Sequence, residues 1–265
     1  MSLILYTHPM SPCAQKVRIV LIEKSLSCEF RHIDLPGKEN LTEEYLKLNP
    51  LGVVPTLVED GNAVIESSII CEYLEDRFPN PRLRPTSSVA TAAMRLWMKH
   101  VDNKLHPSCG ALQWPLVMAD KIRLLPQAEQ QRLIDKIPEK PRRERQRRLL
   151  SLGYDAPDVA DAVHVYEQTI ADLNTLLRGQ LWVAGDEFSL ADASIAPYFQ
   201  TLSQFGWDDW YESRPHVADW YRRVRDRKSY RDGVAADFSP DKLAELKERG
   251  REPWKKIISL RTQAH

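Results

Sequence analysis

Between Leu3 and Pro79 the chain changes hydrophobic period again and again, and after that stretch it stops doing so. Leu3 to Tyr6 is a short apolar run that reads as a buried strand. The polar turn Thr7-His8-Pro9-Met10 follows. Ser11 then stands as an N-cap with Pro12 at N1, where a missing N–H costs nothing. Cys13, Val17, Val20 and Leu21 recur at i, i+4, i+7 and i+8, which predicts one apolar helix face with Gln15 and Arg18 turned elsewhere. Glu29 to Leu35 alternates loosely, as a second strand. Thr42 to Leu48 predicts a short helix stopped by Asn49-Pro50 and Gly52. Thr56–Val58 and Ala63–Ile65 flank Asp60-Gly61, a hairpin signal. Glu66-Ser67 opens a third helix through Ile70, Tyr73 and Leu74 that ends near Pro79. A helical crossover makes the first two strands parallel and right-handed, and the hairpin is antiparallel.

The order β-α-β-α-β-β-α is that of a thioredoxin-like α/β domain, expected over residues 1–80. Residues 81–88 are proline-rich and polar, and read as a linker. From Val89 onward helical patterns replace strands, as in Ala92 to Leu105 and Val159 to Leu177. Residues 89–265 therefore read as an all-α domain. Within it, residues 115–157 form a charged insertion with prolines at 126, 138 and 141. The run from Arg142 to Arg148 reads as a solvated helix surface. A nucleic-acid patch is disfavoured because 37 basic residues balance 37 acidic ones and no aromatic residue interleaves with the arginines. For the tail, Phe238 to His265, two readings stand: a helix covering a cleft, or a frayed terminus.

With 265 residues and 43 % hydrophobic content, the chain can bury a large core. Its start lacks the features of a signal peptide, and no apolar run approaches the ~20 residues that span a bilayer. Cys13, Cys28, Cys71 and Cys109 show no pairing pattern and read as reduced thiols of a cytoplasmic protein. No Cys/His cluster has zinc spacing, so no metal is expected.

Three short segments carry chemistry. Ser11 sits where a strand's end meets a helix N-terminus, where N–H groups and the helix dipole favour negative charge. Its hydroxyl can donate to a bound thiolate, or it can simply cap the helix. Cys13 shares that N-terminus, so its own thiolate is favoured there, and it could form a mixed disulfide; its helical face also fits a core residue. Val54-Pro55 precedes a strand. A cis bond there would turn the peptide groups of Val54 outward to pair with an extended ligand, while a trans turn is the commoner form. Glu66 and Ser67 open a helix and suit the zwitterionic end of a γ-glutamyl ligand, or act as a cap.

Together these segments resemble the glutathione S-transferase superfamily. Ser11-Pro12-Cys13-Ala14-Gln15-Lys16-Val17-Arg18, Asn49-Pro50-Leu51-Gly52-Val53-Val54-Pro55, Glu66-Ser67-Ser68-Ile69-Ile70-Cys71-Glu72-Tyr73-Leu74 and Phe188-Ser189-Leu190-Ala191-Asp192-Ala193 carry the resemblance in the family's order and spacing. In the last of these, Ser189 and Asp192 form an S-x-x-D capping box. The resemblance implies a homodimer using glutathione as co-substrate against a small electrophile, with a cis Pro55. It places Val54 on the cysteinyl backbone and Glu66 and Ser67 on the γ-glutamyl group. It puts Asn40 near the glycyl carboxylate and Asp102 across a dimer from the γ-glutamyl amine. Ser11 falls on the catalytic serine of theta, zeta and delta classes. More loosely, the chain is similar to bacterial β-etherases and to a reductive dehalogenase of chlorinated hydroquinones. In the dehalogenase the cysteine at the place of Cys13 resolves a glutathionyl adduct. Expected chemistry is thiolate attack on an aromatic electrophile, with His106 and Trp114 lining its site. The rivals are Cys13-centred chemistry and a non-catalytic interaction module.

Overall fold

The computed structural model describes residues 2–263; Met1, Ala264 and His265 lie outside the described residues. Four strands, β1 (Leu3–Thr7), β2 (Glu29–His32), β3 (Thr56–Glu59) and β4 (Asn62–Ile65), form one sheet in the order β2-β1-β3-β4. β1 and β2 run parallel, and β1–β3 and β3–β4 are antiparallel, as the crossover and the hairpin require. Asp60 (φ 47°) and Gly61 (φ 88°) are both left-handed, which a tight hairpin needs. β2 stops at His32, short of the expected Leu35. Ile33 still donates to the Thr7 carbonyl, but Leu35 turns back onto the Ile33 carbonyl just before Pro36.

Three helices pack with the sheet: α1 (Pro12–Glu23), α2 (Glu43–Leu48) and α3 (Ser67–Arg77). The helical domain follows as α4 (Ser88–His100), α5 (His106–Trp114), α6 (Asp120–Arg123), α7 (Gln127–Asp135), α8 (Lys140–Leu152), α9 (Pro157–Leu176), α10 (Leu190–Gln204), α11 (Asp209–Glu212), α12 (Pro215–Arg225), α13 (Lys228–Gly233) and α14 (Pro240–Gln263). No helix among the described residues is long and apolar enough to cross a membrane.

The expectation that Gln15 and Arg18 face away from the core is overturned. α1 is enclosed by α3 on one side and by α10 and α13 of the helical domain on the other. Its polar residues are therefore buried: Gln15, Lys16 and Arg18 are 2 %, 0 % and 3 % exposed. Each finds a partner. Gln15 Nε2 donates to the Pro9 carbonyl at 2.7 Å, and Arg18 pairs with Asp237. Burial on every side, rather than amphipathic period, governs this helix.

α4, α5 and α6 run on as one rod through two π-helical turns, Val101–Leu105 and Pro115–Ala119. Pro107 lies just after the first. A proline ring clashes with the carbonyl four residues back, and the wider turn accommodates it. The proline-rich linker is tied down: Lys24 Nζ donates to the Phe78 and Pro81 carbonyls and pairs with Glu75, whose carboxylate accepts from the Leu83 and Arg84 amides. Ser189 caps α10 in the expected box. Asp192 Oδ2 accepts from the Ser189 amide and hydroxyl, while Oδ1 accepts from the Val183 amide and Trp220 Nε1. The tail is a packed helix. Leu246 and Ile257 of α14 are buried, and Trp254 stacks on Trp207.

Candidate active site

A cavity of about 550 Å³ opens between the two domains. Ser11, Asn40, Val53 and Val54 line it from the sheet side, and His106, Trp114, Met118 and Arg142 from the helical side. Leu246 and Arg249 of α14 close it, so the tail does cover the cleft. Trp114, only 7 % exposed, serves both core and cavity wall.

The sheet-side wall is held by local bonds. The Val53 carbonyl accepts from Tyr45 Oη at 2.7 Å and Asn49 Nδ2 at 2.9 Å. The Val54–Pro55 peptide is cis. Among the described residues, no turn or loop bond between backbone groups uses the N–H or C=O of Val54. Buried peptide groups are normally paired, so these two stand out as unpaired at the cavity wall. Asn40 Nδ2 donates to the Gly52 carbonyl at 2.7 Å, and its Oδ1 is buried without a partner. Asn40 thus braces the loop and offers the cleft an acceptor as well as a donor. Glu66 sits at the N-cap of α3 with φ 68°, a left-handed conformation that costs a non-glycine residue about 1–3 kcal/mol and clusters at functional sites. Its side chain is exposed, while Ser67 and Ser68 behind it are buried.

Ser11 does cap α1, accepting from the Ala14 amide at 3.3 Å. That bond uses a lone pair. The hydroxyl hydrogen donates to no acceptor among the described residues, so capping and donation to a ligand are compatible.

Two residues on, Cys13 is not the core residue its helical face suggested. It is half-buried, and its Sγ lies 3.4 Å from His106 Nδ1 and 3.6 Å from Tyr198 Oη. Burial alone would raise its pKa. The His106 charge and hydrogen bond, the Lys16 charge and the Ser67 hydroxyl outweigh that and bring it from 9.0 to about 6. His106 is raised in turn, chiefly by the Cys13 thiolate and against desolvation. Cys71 and Cys109 have no imidazole beside them, and burial outweighs the Lys16 charge on the one and the Thr201 hydroxyl on the other and pushes both up to about 12.

One turn further along α1, fully buried Lys16 donates to Ser68 Oγ at 2.9 Å and Asp102 Oδ1 at 3.1 Å. Ser68 also donates to that carboxylate oxygen. Asp102 is thus engaged within its own chain through Oδ1. Lys16 and Tyr198 escape the sequence reading, although an isolated lysine three residues after Cys13 in an apolar helix marks one face. The reading of the Arg142 to Arg148 run as a solvated surface is corrected in part: Arg147 and Arg148 pair with acids at the surface, but Arg142 turns into the cavity.

A thioredoxin-like sheet with a free peptide edge, a hydroxyl at the first helix N-terminus and a helical second domain over the cleft define a glutathione-using transferase. The chain belongs to the glutathione S-transferase family. Residues 5–82 match the model of the glutathione S-transferase N-terminal domain, and residues 145–223 that of the C-terminal domain. It is 31 % identical over 207 residues to glutathione S-transferase 1 of Dianthus caryophyllus, covering 77 % of this chain and 79 % of the relative. Maleylacetoacetate isomerase of Pseudomonas aeruginosa is 31 % identical, covering 81 % of this chain and 89 % of the relative. Protein LigF of Sphingobium sp. SYK-6 is 28 % identical, covering 95 % and 99 %. The crystal structure of beta-etherase LigF superposes with a TM-score of 0.80 at 27 % identity, covering 88 % of this chain and 98 % of that one. The protein is a glutathione transferase, and glutathione is its co-substrate.

Proposed function

We propose that the cleft holds glutathione extended from Glu66 and Ser67, past the peptide groups of Val54 beside Pro55, toward Asn40, and that Ser11 activates its thiol. Residues 1–80 would form the tripeptide-binding domain and residues 89–265 the electrophile-binding domain. The observation that carries this is the uncommitted Ser11 hydroxyl hydrogen at the N-terminus of α1, facing the cavity. Donation there, with the helix dipole, stabilises a thiolate. The thiolate attacks an aromatic electrophile against Trp114 and Met118. A carbon–sulfur bond forms, the leaving group departs with its electron pair, and the thiol proton goes to solvent. The test is the ultraviolet absorbance of the bound thiolate titrated against pH. Ser11→Ala moves the midpoint upward, and an unmoved midpoint overturns the role of Ser11.

A second reading is favoured by the lowered pKa of Cys13 beside His106. In β-ether cleavage, the glutathione thiolate displaces a phenolate from carbon. In reductive chemistry, the Cys13 thiolate then attacks the sulfur of the glutathionyl adduct. The product carbon leaves with the electron pair and takes a proton, and a Cys13–glutathione disulfide remains. A second glutathione reduces it, leaving oxidised glutathione. Cys13→Ser that abolishes turnover while the adduct accumulates supports this reading; unchanged turnover removes it. Ser11 opens onto the cavity while the Cys13 sulfur lies between His106 and buried Tyr198, which favours the first reading.

Ile69 of α3 and Val89 and Leu96 of α4 are exposed apolar residues, 59 %, 82 % and 68 %. Such a face suits a homodimer contact. Four free cysteines fit a cytoplasmic setting.

A further inference from the structure

A second cavity, of about 560 Å³, shares no lining residue with the first. Its volume falls in the range of small-molecule pockets, about 300–1,000 Å³. α14 is a wall of both: Glu245, Leu246 and Arg249 face the catalytic cleft, whereas Leu243 and Lys247 face this cavity. The floor is buried and polar. Gln200 and Gln204 of α10 are 6 % and 2 % exposed. Tyr230 Oη donates to Gln200 Oε1, and among the described residues the Gln200 NH2 group finds no acceptor. Among the described residues, the Gln204 amide has no partner at either end. A buried amide with donor and acceptor both free is costly, and it matches one peptide group of a ligand. Charges of both signs stand around that floor. Among the described residues, Arg225, Arg231 and Lys247 form no ion pair, and neither do Asp208 and Asp226. Arg231 donates to the Asp226 backbone carbonyl, and Asp208 Oδ1 accepts from Tyr211 Oη at 2.9 Å. Arg222, the other cation there, is already answered by Asp219 at 2.5 Å. The unanswered acids disfavour a bare phosphate or any polyanion. Unanswered charges of both signs suit a zwitterion, and three such cations against two acids suit one with a net negative charge.

We propose that this cavity is a second ligand site, which takes a short zwitterionic peptide of net negative charge. The ligand's carboxylates meet Arg225, Arg231 and Lys247, its ammonium meets Asp208 and Asp226, and Gln204 pairs with a peptide group between them. Phe238 and Leu243 give a side chain of the ligand an apolar wall. The bound peptide lies against one face of α14, the helix whose other face closes the catalytic cleft. The site stands apart from the path of glutathione along Val54, since the two cavities have no lining residue in common. The co-substrate itself has the required charges, one ammonium against two carboxylates, so a second molecule of glutathione is the first probe.

The test follows the side-chain amide resonance of Gln204 in the isotope-labelled chain, identified by its loss in Gln204→Leu. Titration of the wild-type chain with glutathione, up to about 10 mM, moves that resonance along a saturating curve. Lys247→Gln, at an exposed position that spares the fold, raises the dissociation constant read there by about tenfold, the scale of one charged hydrogen bond. N-acetyl glutathione, which lacks the ammonium, is weaker at that resonance by a similar factor. Inorganic phosphate over the same range leaves the resonance in place. A resonance that stays still with glutathione overturns the site and leaves a cavity filled by water. So does a dissociation constant unchanged in Lys247→Gln, which would trace the shift to the catalytic cleft. Saturation by phosphate, or equal affinity for N-acetyl glutathione, overturns the zwitterion and hands the cations to a simple anion.

Discussion

The two walls of the cleft are built by opposite means. On the sheet side, Tyr45 and Asn49 hold the Val53 carbonyl, Asn40 holds Gly52 and Ser11 caps its own helix, all through contacts a dozen residues apart or fewer. On the helical side, His106, Arg142 and Leu246 come from α5, α8 and α14, far apart in the chain, and only packing brings them together. A wall made of local bonds is rigid before any ligand arrives and can hold one invariant peptide. A wall assembled from distant helices changes shape with each helix that moves, and so can be fitted to different electrophiles. α1 is the hinge of the comparison, because it touches both.

The hardest blow to that arrangement is Lys16→Met. Lys16 is fully buried and joins α1 to α3 through Ser68 and to the rod through Asp102. Removing one partner of a buried ion pair costs about 3–5 kcal/mol, but Asp102 keeps contact with water and with Ser68, which discounts the loss to roughly 2–3 kcal/mol. Denaturant unfolding measures it. A change under about 0.5 kcal/mol would mean the walls are joined by apolar packing alone.

His106→Ala acts on the helical side only and is smaller. The Cys13 pKa is depressed from 9.0 to about 6, so in the native fold its thiolate forms as pH rises through about 6. His106 is raised, so its positive charge is present below its ordinary 6.5 and is lost as pH climbs through the raised value. The pair is therefore fully charged in the interval above 6 and below the His106 value. Without the imidazolium the thiol pKa climbs back toward 9.0. Alkylation of Cys13 by iodoacetamide near neutrality slows about tenfold, and the midpoint of its pH profile moves up. Glutathione binding at the sheet-side wall holds. A profile that stays at about 6 would leave the Lys16 charge, the Ser67 hydroxyl and the helix N-terminus as its cause.

The same contrast decides what could be read from the chain alone. The hairpin at Asp60-Gly61, the cap at Ser11, the helix stop at Asn49-Pro50 and the box at Ser189 and Asp192 are local chemistry, and all are legible. The burial of Gln15 and Arg18 is not legible, because a 3.6-residue period reports a single buried face, whereas α1 is enclosed on all sides. Cys13 shares its helical face with Val17 and Val20, and nothing in that spacing announces His106, ninety-three residues away. The arginines of α8 look alike in sequence. Only the packed helix turns Arg142 inward and leaves Arg147 and Arg148 to surface acids. The local elements of the sheet-side wall are therefore legible, as are His106, Trp114 and the tail as cavity lining, whereas the partners of Cys13 and the inward turn of Arg142 are not, because those are set by tertiary contacts.

Met118→Ala probes the apolar end with the least disturbance. Met118 is half-buried on the π-helical turn after α5 and lines the cavity from the helical side. Its thioether gives an aromatic electrophile a deformable apolar surface, and truncating it removes contacts worth about 1 kcal/mol. KM for an aromatic electrophile should rise by roughly fivefold with kcat nearly unchanged, the signature of binding shared by ground and transition states. Glutathione affinity should stay put, since the proposed path of the peptide runs along the other wall. Steady-state kinetics with each substrate varied in turn separates the two. Equal rises in both KM values would show that the walls are mechanically coupled through α5, and the division of labour between them would have to be given up.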